Sequence, residues 1–402
     1  MNFELTEEQV RYEALVRDFA RQEVAPHVAE YDREERYPVE IIKKAAALGL
    51  LGGVIPEAYG GAGLDHVTFA VGLEEMARVC IHVASAMARA SGLVGSAILR
   101  YGTEEQKQKY LVPLASGDAF GGTGVTEPHS GSDVAAMETT AVRKGDEYVL
   151  NGSKIWISGV GVASWFLTFA QLDRSKGSKG ICAFIVDRGA PGFRTRTITN
   201  KLGFRPSPVG ELIFEDCRVP RTNLVGREGE GLKVALTAVE NGRLSVAARA
   251  VGLAQACLDE SVAYAQQRVT FGRPIMEYQL VQAKITDMVV GIEAGRFLTY
   301  RLAWLRDRGV RRARREAAIA KLYTTEVALR AASDAVQIHG AYGVSDEHAV
   351  GRHFRDAKVL QIVEGVNDLQ RALIAEYALG LRREPVEGAR GAVPASGATP
   401  AG

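Results

Sequence analysis

Apolar residues recur at helical spacing from the start of the chain. Leu5, Val10, Ala14, Leu15 and Phe19 fall near one helical face, and Ile41, Ile42, Ala45, Ala46 and Leu48 open a second helix. Thr6-Glu7-Glu8-Gln9 is a helix-start pattern ahead of the first. Gly49, Gly52-Gly53 and Gly60-Gly61-Ala62-Gly63 punctuate the connections, and residues 72–99 give two more helices rich in small side chains. Residues 1–118 therefore read as an N-terminal all-α domain.

From residue 119 to 228 the period shortens to two. Tyr148, Leu150, Ile155 and Ile157 alternate, with Lys144-Gly145-Asp146 and Asn151-Gly152 as tight turns. Residues 166–169, 181–186 and 212–214 are further strands, broken by Pro191, Pro206, Pro208 and Pro220. This is a middle β domain, barrel-like or a sandwich. The helical period then returns over 229–382. Leu253, Ala254, Cys257, Leu258 and Val262 mark one helix face. Leu280, Met288, Ile292, Phe297 and Leu302 mark a second, and Ile319, Leu322, Val327, Ala335 and Ile338 a third. Long helices with short connections predict an antiparallel bundle of about four. The Gly-, Ala- and Pro-rich residues 383–402 read as a disordered tail. The fold class is α+β.

Composition narrows the function classes. Hydrophobic content of 47% and charged content of 24% are those of a soluble globular protein. With 49 basic against 48 acidic residues, no global field favours nucleic acid or an anionic membrane. No apolar run approaches the roughly 18 residues of a membrane span, and no basic or apolar leader precedes Thr6, so the chain reads as cytoplasmic. Cys80, Cys182, Cys217 and Cys257 are scattered, and the histidines lack ligand spacing; no metal is placed. Six arginines between Arg306 and Arg315 crowd one interhelical turn, read as a solvated surface, with docking of an acidic partner as the alternative.

Two stretches carry chemistry. Val125-Thr126-Glu127-Pro128-His129-Ser130-Gly131-Ser132-Asp133 is a turn of small, hydrogen-bonding residues whose N–H and hydroxyl groups can converge on one anionic or polar ligand. Gln361-Ile362-Val363-Glu364-Gly365 sets one carboxylate in an apolar run before a glycine. Such a carboxylate has a raised pKa unless paired, and suits a base acting on a weak carbon acid. The alternative is an ion pair of Glu364 with Arg371 or Lys358. No Gly-x-Gly-x-x-Gly links a strand to a helix, since Gly159-Val160-Gly161 leads into another strand, so any dinucleotide is held differently.

Taken in order, these segments resemble the acyl-CoA dehydrogenase family of flavoenzymes from about residue 3 to about residue 382. The resemblance implies FAD, with Val125, Thr126, Trp156 and Ser158 around the isoalloxazine and Ser132 facing both pyrophosphate and the CoA of the substrate. Arg268-Val269-Thr270-Phe271-Gly272 resembles an element that reaches a neighbouring subunit's cofactor, through Arg268, Thr270 and Phe271. Gln279 falls at a further contact, and Gln337-Ile338-His339-Gly340 resembles the adenylate-contacting segment, through Gln337 and Gly340. Such cross-subunit contacts imply a homotetramer, and the implied electron acceptor is electron-transferring flavoprotein.

The same resemblance makes Glu364 the base that takes the α proton of an acyl-CoA while flavin N5 accepts the β hydride. The product is a trans-2-enoyl-CoA. Gly365 permits close approach of the thioester, and Glu240 and Arg243 match a segment touching CoA. Some branches carry the base just before that arginine, where this chain has Gly242. Val366 and Asp368 stand where the family usually has threonine and glutamine. Arg89 lies on a helix that lines the acyl cavity in the family. A guanidinium there disfavours a long alkyl chain and suits a short, branched, cyclic or acid-bearing acyl group; the alternative is an arginine reaching solvent or a glutamate. The glutaryl-CoA branch has its arginine at the position of Ala84. Competing readings are an acyl-CoA oxidase using oxygen and a non-catalytic flavin-binding scaffold.

Overall fold

The computed structural model describes residues 4–310 and 313–383. From residue 384 the tail expected to be disordered lies outside the described residues, as do Arg311 and Arg312 of the arginine cluster. The first helix, Glu7–Phe19, starts where the sequence places it. Thr6 Oγ1 accepts from the Gln9 N–H at 3.3 Å, and the Gln9 side chain accepts from the Thr6 N–H at 3.0 Å. After the helices Val39–Ala47 and His66–Val79, the helix Ile81–Ala88 runs into a π-helical turn, Arg89–Val94, and then Gly95–Tyr101. The wider turn re-aims the side chains it carries.

The middle of the chain is one eight-stranded sheet: β1 (Gly121–Gly124), β2 (Thr140–Lys144), β3 (Glu147–Ser158), β4 (Trp165–Gln171), β5 (Ile181–Asp187), β6 (Phe193–Ile198), β7 (Val209–Pro220) and β8 (Leu224–Val225). The order is β6-β7-β3-β2-β4-β5-β8, with β1 parallel to β4. Lys144 and Glu147 close the β2–β3 hairpin as expected. Asn151-Gly152 does not form the expected turn; it is a bulge inside β3, where the register against β7 shifts. Asn151 and Asp216 bond across it, the Asp216 N–H donating to Asn151 Oδ1 at 2.8 Å, so the pair fills the gap a hairpin would otherwise close. The strands β1 and β6 escaped the alternation rule, β1 because three of its four residues are glycine.

Long helices follow: Gly231–Gln267, Gln279–Asp307 and Arg314–His339, then the shorter Val350–Leu360 and Asn367–Ala378. The three long helices and the two shorter ones make up the C-terminal helical domain. The first packs on His66–Val79 through Gly252, where a Cβ would lie 2.1 Å from the Glu74 carbonyl oxygen. On the second, Met288, Ile292 and Leu302 are buried as expected, but Leu280 and Phe297 are exposed. No helix is long and apolar enough to cross a membrane among the described residues.

A buried ion pair locks the sheet to the turn that follows β1. Lys154 Nζ lies 2.7 Å from Glu127 Oε1, with both side chains almost fully enclosed. Burial pulls the Lys154 ammonium down to about 8. Desolvation pushes the Glu127 carboxyl up, but Lys154 and the Glu138 and Thr139 N–H groups together hold it below its ordinary value. Lys154→Met should therefore strand a buried carboxylate and destabilise the protein by about 3–5 kcal/mol. Denaturant unfolding checks this, and an unchanged midpoint would show the pair to be dispensable.

Candidate functional site

The two segments expected around a flavin are neighbours in the fold. The Ile155 N–H donates to the Thr126 carbonyl at 2.9 Å, joining the turn to β3. The turn itself closes through Glu127 and Ser130, whose N–H groups and carbonyls pair at 2.8 and 3.2 Å. Beside it β3 loses register between Lys154 and Ile157. Trp156 takes a left-handed φ of 62° there and stands 59% exposed. A large aromatic held outward on a strained backbone is a surface awaiting a partner. Ser132 and Ser158 are exposed with no side-chain hydrogen bond, and Thr123 Oγ1, two residues before Val125, is buried without one. Uncommitted hydroxyls, a turn rich in N–H groups and a bare indole are the donors and the face that a flavin dinucleotide needs. The residues fit FAD.

Glu364 sits in the loop between Val350–Leu360 and Asn367–Ala378. Its φ is 54° and that of Gly365 is 90°, so two successive left-handed residues turn the carboxylate back toward the Gly231–Gln267 helix. There Gly242 makes room. A Cβ on Gly242 would lie 2.6 Å from Glu364 Oε2 and 2.7 Å from its Cδ. The position that carries the base in other branches thus points at the same spot, and the two arrangements exclude each other. Gly242→Ala should displace the Glu364 carboxylate and lower turnover at least about tenfold. Full activity in that variant would show the close packing to be irrelevant.

The loop is pinned from below by Lys321, which is fully buried and was not singled out in the sequence. Its Nζ donates to the Gln361 and Gly365 carbonyls, each at 2.9 Å, and to Asn367 Oδ1 at 2.7 Å. Burial pulls this ammonium down to about 7, yet three acceptors match three N–H donors, which only the charged form has. Arg243 Nε donates to the Glu364 carbonyl at 3.3 Å. Burial raises the Glu364 carboxyl to about 7, against the opposing pull of Arg249, Arg243 and Lys321. The ion-pair alternative fails. Arg371 pairs with Glu326 at 3.2 Å and with Asp368, and Lys358 donates to Gln361. Val366 is the N-cap of Asn367–Ala378 and gives it no side-chain bond, which is what the missing hydroxyl costs. Asp368 points into solvent.

Arg89 is buried in the π-helical turn, its Nη1 3.6 Å from where a Cβ on Gly159 would stand, and it pairs with no glutamate among the described residues. It adjoins the end of β3 that carries Trp156 and Ser158. Glu240 is partly buried and already engaged, accepting from the Ala313 N–H at 3.3 Å and lying 3.5 Å from Arg314 Nε. Arg306 turns inward to the Glu240 carbonyl and Asn241, so the arginine cluster is not simply a solvated surface.

The remaining sequence-derived residues form a separate, outward-facing group. Arg268, Gln279, Gln337 and Gly340 are exposed, Thr270 is half-buried, and Phe271 is 98% exposed at the tip of a hairpin whose two turn residues both have positive φ. Among the described residues no hydrogen bond joins them to Thr126, Trp156 or Glu364. Near Gly340 the fold also assembles Glu260, His339 and His348, whose ligand atoms lie within 4.8 Å of one another. Sequence spacing could not reveal this cluster, because three separate elements supply it. The Tyr264 ring stacks on His339 at 4.2 Å.

Comparison with known proteins agrees with this architecture. The N-terminal, middle and C-terminal domain models of acyl-CoA dehydrogenase match residues 6–118, 122–217 and 229–379. An acyl-CoA dehydrogenase of Bacillus subtilis (strain 168) is 44% identical, over 94% of this chain and 99% of its own. The structure of butyryl-CoA dehydrogenase from Megasphaera elsdenii superposes with a TM-score of 0.91 at 40% identity, over 94% of this chain and 100% of that one. A chain from structural work on the electron transferring flavoprotein of Acidaminococcus fermentans gives 0.92 at 42% identity, over 94% and 100%. The chain belongs to the acyl-CoA dehydrogenase family. It is an enzyme of that class, and the family's cofactor is FAD.

Proposed function

We propose that this chain oxidises an acyl-CoA across its α,β bond to the trans-2-enoyl-CoA, with Glu364 as the base that removes the α proton. The observation that carries this reading is the Glu364 carboxyl itself: seated against Gly242, held by a loop that Lys321 and Arg243 fix, and raised by burial to about 7. A base poised near neutrality suits an α proton that is only weakly acidic until the thioester carbonyl is polarised. The Glu364 N–H is the protein's donor for that carbonyl, and Gly365 leaves the thioester room to approach. FAD, when bound, supplies the acceptor for the β hydride. Val125, Thr126, Trp156, Ser158 and Ser132 would hold it, Ser132 also meeting the CoA, whose other contacts are Arg243 and Glu240.

Phe271, Arg268, Thr270 and Gln279, with Gln337 and Gly340, would meet the cofactor of a neighbouring copy in a homotetramer. Among the described residues nothing covers this bare phenylalanine on its tight hairpin. Electron-transferring flavoprotein is the proposed acceptor, in keeping with the Acidaminococcus likeness. The substrate we propose is short, branched, cyclic or acid-bearing, because Arg89 is a buried guanidinium on the helix that the family resemblance puts along the acyl cavity. Anaerobic mixing of the yellow protein with a panel of acyl-CoAs tests the reading. One or more of the short thioesters should bleach the flavin, whereas fast oxidation of palmitoyl-CoA would overturn the substrate class.

The rate should depend on pH in one direction at its acid end. Glu364 works only as the carboxylate, so flavin reduction should fall as pH drops through about 7. A profile flat from pH 5 to 8 would contradict a raised carboxyl as the base.

A further inference from the structure

Two buried arginines, Arg249 within the field of Glu364 and Arg89 within that of Arg249, have no acid of their own. Arg89 is 8% exposed and makes no hydrogen bond or ion pair among the described residues. Arg249, on the Gly231–Gln267 helix, is 7% exposed. Its Nε donates to the Ser245 carbonyl at 3.1 Å and its Nη1 to Ser85 Oγ at 2.5 Å, while Ser85 gives its own proton to the Ile81 carbonyl. Its Nη2 is uncommitted.

The charge balance is one-sided. Arg89 and Arg249 repel each other, and the one carboxylate acting on Arg249 is Glu364, which Arg243 and Lys321 also face. Arg243 and Lys321 are used in holding the Glu364 loop; the arginine pair is not. Beside the pair, Ser245 is 2% exposed and its hydroxyl has no partner, although it lies only 2.8 Å from where a Cβ on Gly92 would stand, in the same π-helical turn as Arg89. Unbalanced buried cations with free donors are costly in an empty protein, and an anionic ligand group would relieve that cost.

We propose that Arg89 and Arg249, with Ser85 and Ser245 beside them, form an anion subsite in the acyl cavity, and that the preferred acyl-CoA carries a carboxylate on its acyl group. This rests on the acyl-CoA reading above and narrows it to one substrate class. Planar guanidiniums bind a carboxylate through paired N–H donors, whereas an alkyl end would leave both desolvated and unanswered. Because Ala84 carries no arginine, the carboxylate is met from the Arg89 and Arg249 side, and the test spans several lengths and branchings.

The FAD-loaded protein is mixed anaerobically with succinyl-, methylsuccinyl-, glutaryl- and adipyl-CoA, and with butyryl-, 2-methylbutyryl- and hexanoyl-CoA. Initial bleaching rates at limiting substrate give kcat/KM for each. The best carboxylate-bearing thioester should exceed the best neutral one by at least about tenfold. Arg89→Gln and Arg249→Gln should each reduce that ratio by about 10- to 100-fold, the worth of a charge-assisted hydrogen bond, and the lysine variants should lose less. Flavin content and circular dichroism report folding; if Arg249→Gln fails to fold, Arg89→Gln and Arg249→Lys decide. Neutral thioesters outpacing every carboxylate-bearing one, or a ratio unmoved by Arg89→Gln, would overturn the subsite. If no thioester of either kind bleaches the flavin, the acyl-CoA reading itself fails and the subsite with it.

Discussion

Glu364→Gln is expected to slow flavin reduction by acyl-CoA by about 10²–10⁴-fold or more while FAD content and thioester binding persist. Glutamine has the same shape, so it fits beside Gly242 and leaves the backbone carbonyl on Arg243; what it loses is basicity. The linked effect on stability has a definite sign. The folded carboxyl sits near 7, above its ordinary 4.5, so the native state holds the proton more tightly than the unfolded chain does. Its stabilising contribution is complete below about 4.5 and is lost as pH rises through about 7. At pH 8 the wild type therefore buries a disfavoured charge that the glutamine variant lacks. The variant should unfold at the same or a higher denaturant concentration. Lost turnover with undiminished stability would separate a base from a structural residue, and near-normal bleaching would refute the assignment.

Much of this site was legible in the sequence because its parts are local. The turn around Thr126 and the Glu364-Gly365 pair are contiguous, and hydroxyls, glycine and an acid in an apolar run announce their chemistry. The three-part organisation was legible for a similar reason, since a period of 3.6 gives way to a period of two and returns. What escaped was set by contacts between distant segments. Lys321 lies on a helix face with Ala317, Ala320 and Thr324 and gives no sign that its ammonium reaches a loop some forty residues on. Lys154 occupies an inward position in a strand, where only the arrival of Glu127 makes a lysine tolerable. Arg249 sits among alanines and valines and looks like an isolated charge until Ser85, from another helix, comes to meet it. Asn151-Gly152 was misread because the dipeptide that closes hairpins also serves a bulge, and the choice depends on Asp216 in a strand 65 residues away. Leu280 and Phe297 have the spacing of core residues yet stay exposed, and periodicity alone does not say which of a helix's apolar residues the rest of the chain will cover.

Lys321→Met should fail in a different way from Glu364→Gln, and the contrast isolates the scaffold from the chemistry. Methionine fills much the same volume but gives nothing to the Gln361 and Gly365 carbonyls or to Asn367 Oδ1, three acceptors that now lie buried around one ammonium. Each acceptor keeps one weaker donor, the Asn367 N–H, Gln370 Nε2 and Thr325 Oγ1 respectively, so losing the shared cation should destabilise the protein by about 1.5–3 kcal/mol. The loop bends through two left-handed residues, and without that anchor its lowest-energy path need no longer present the carboxylate to Gly242. A misplacement of an ångström at a reacting group can cost about a hundredfold in rate, so turnover should drop by a comparable factor. Denaturant unfolding and anaerobic flavin reduction on the same preparation check both losses. Unaltered stability would mean that the loop holds itself, and stability lost without any change in turnover would detach Lys321 from the positioning of Glu364.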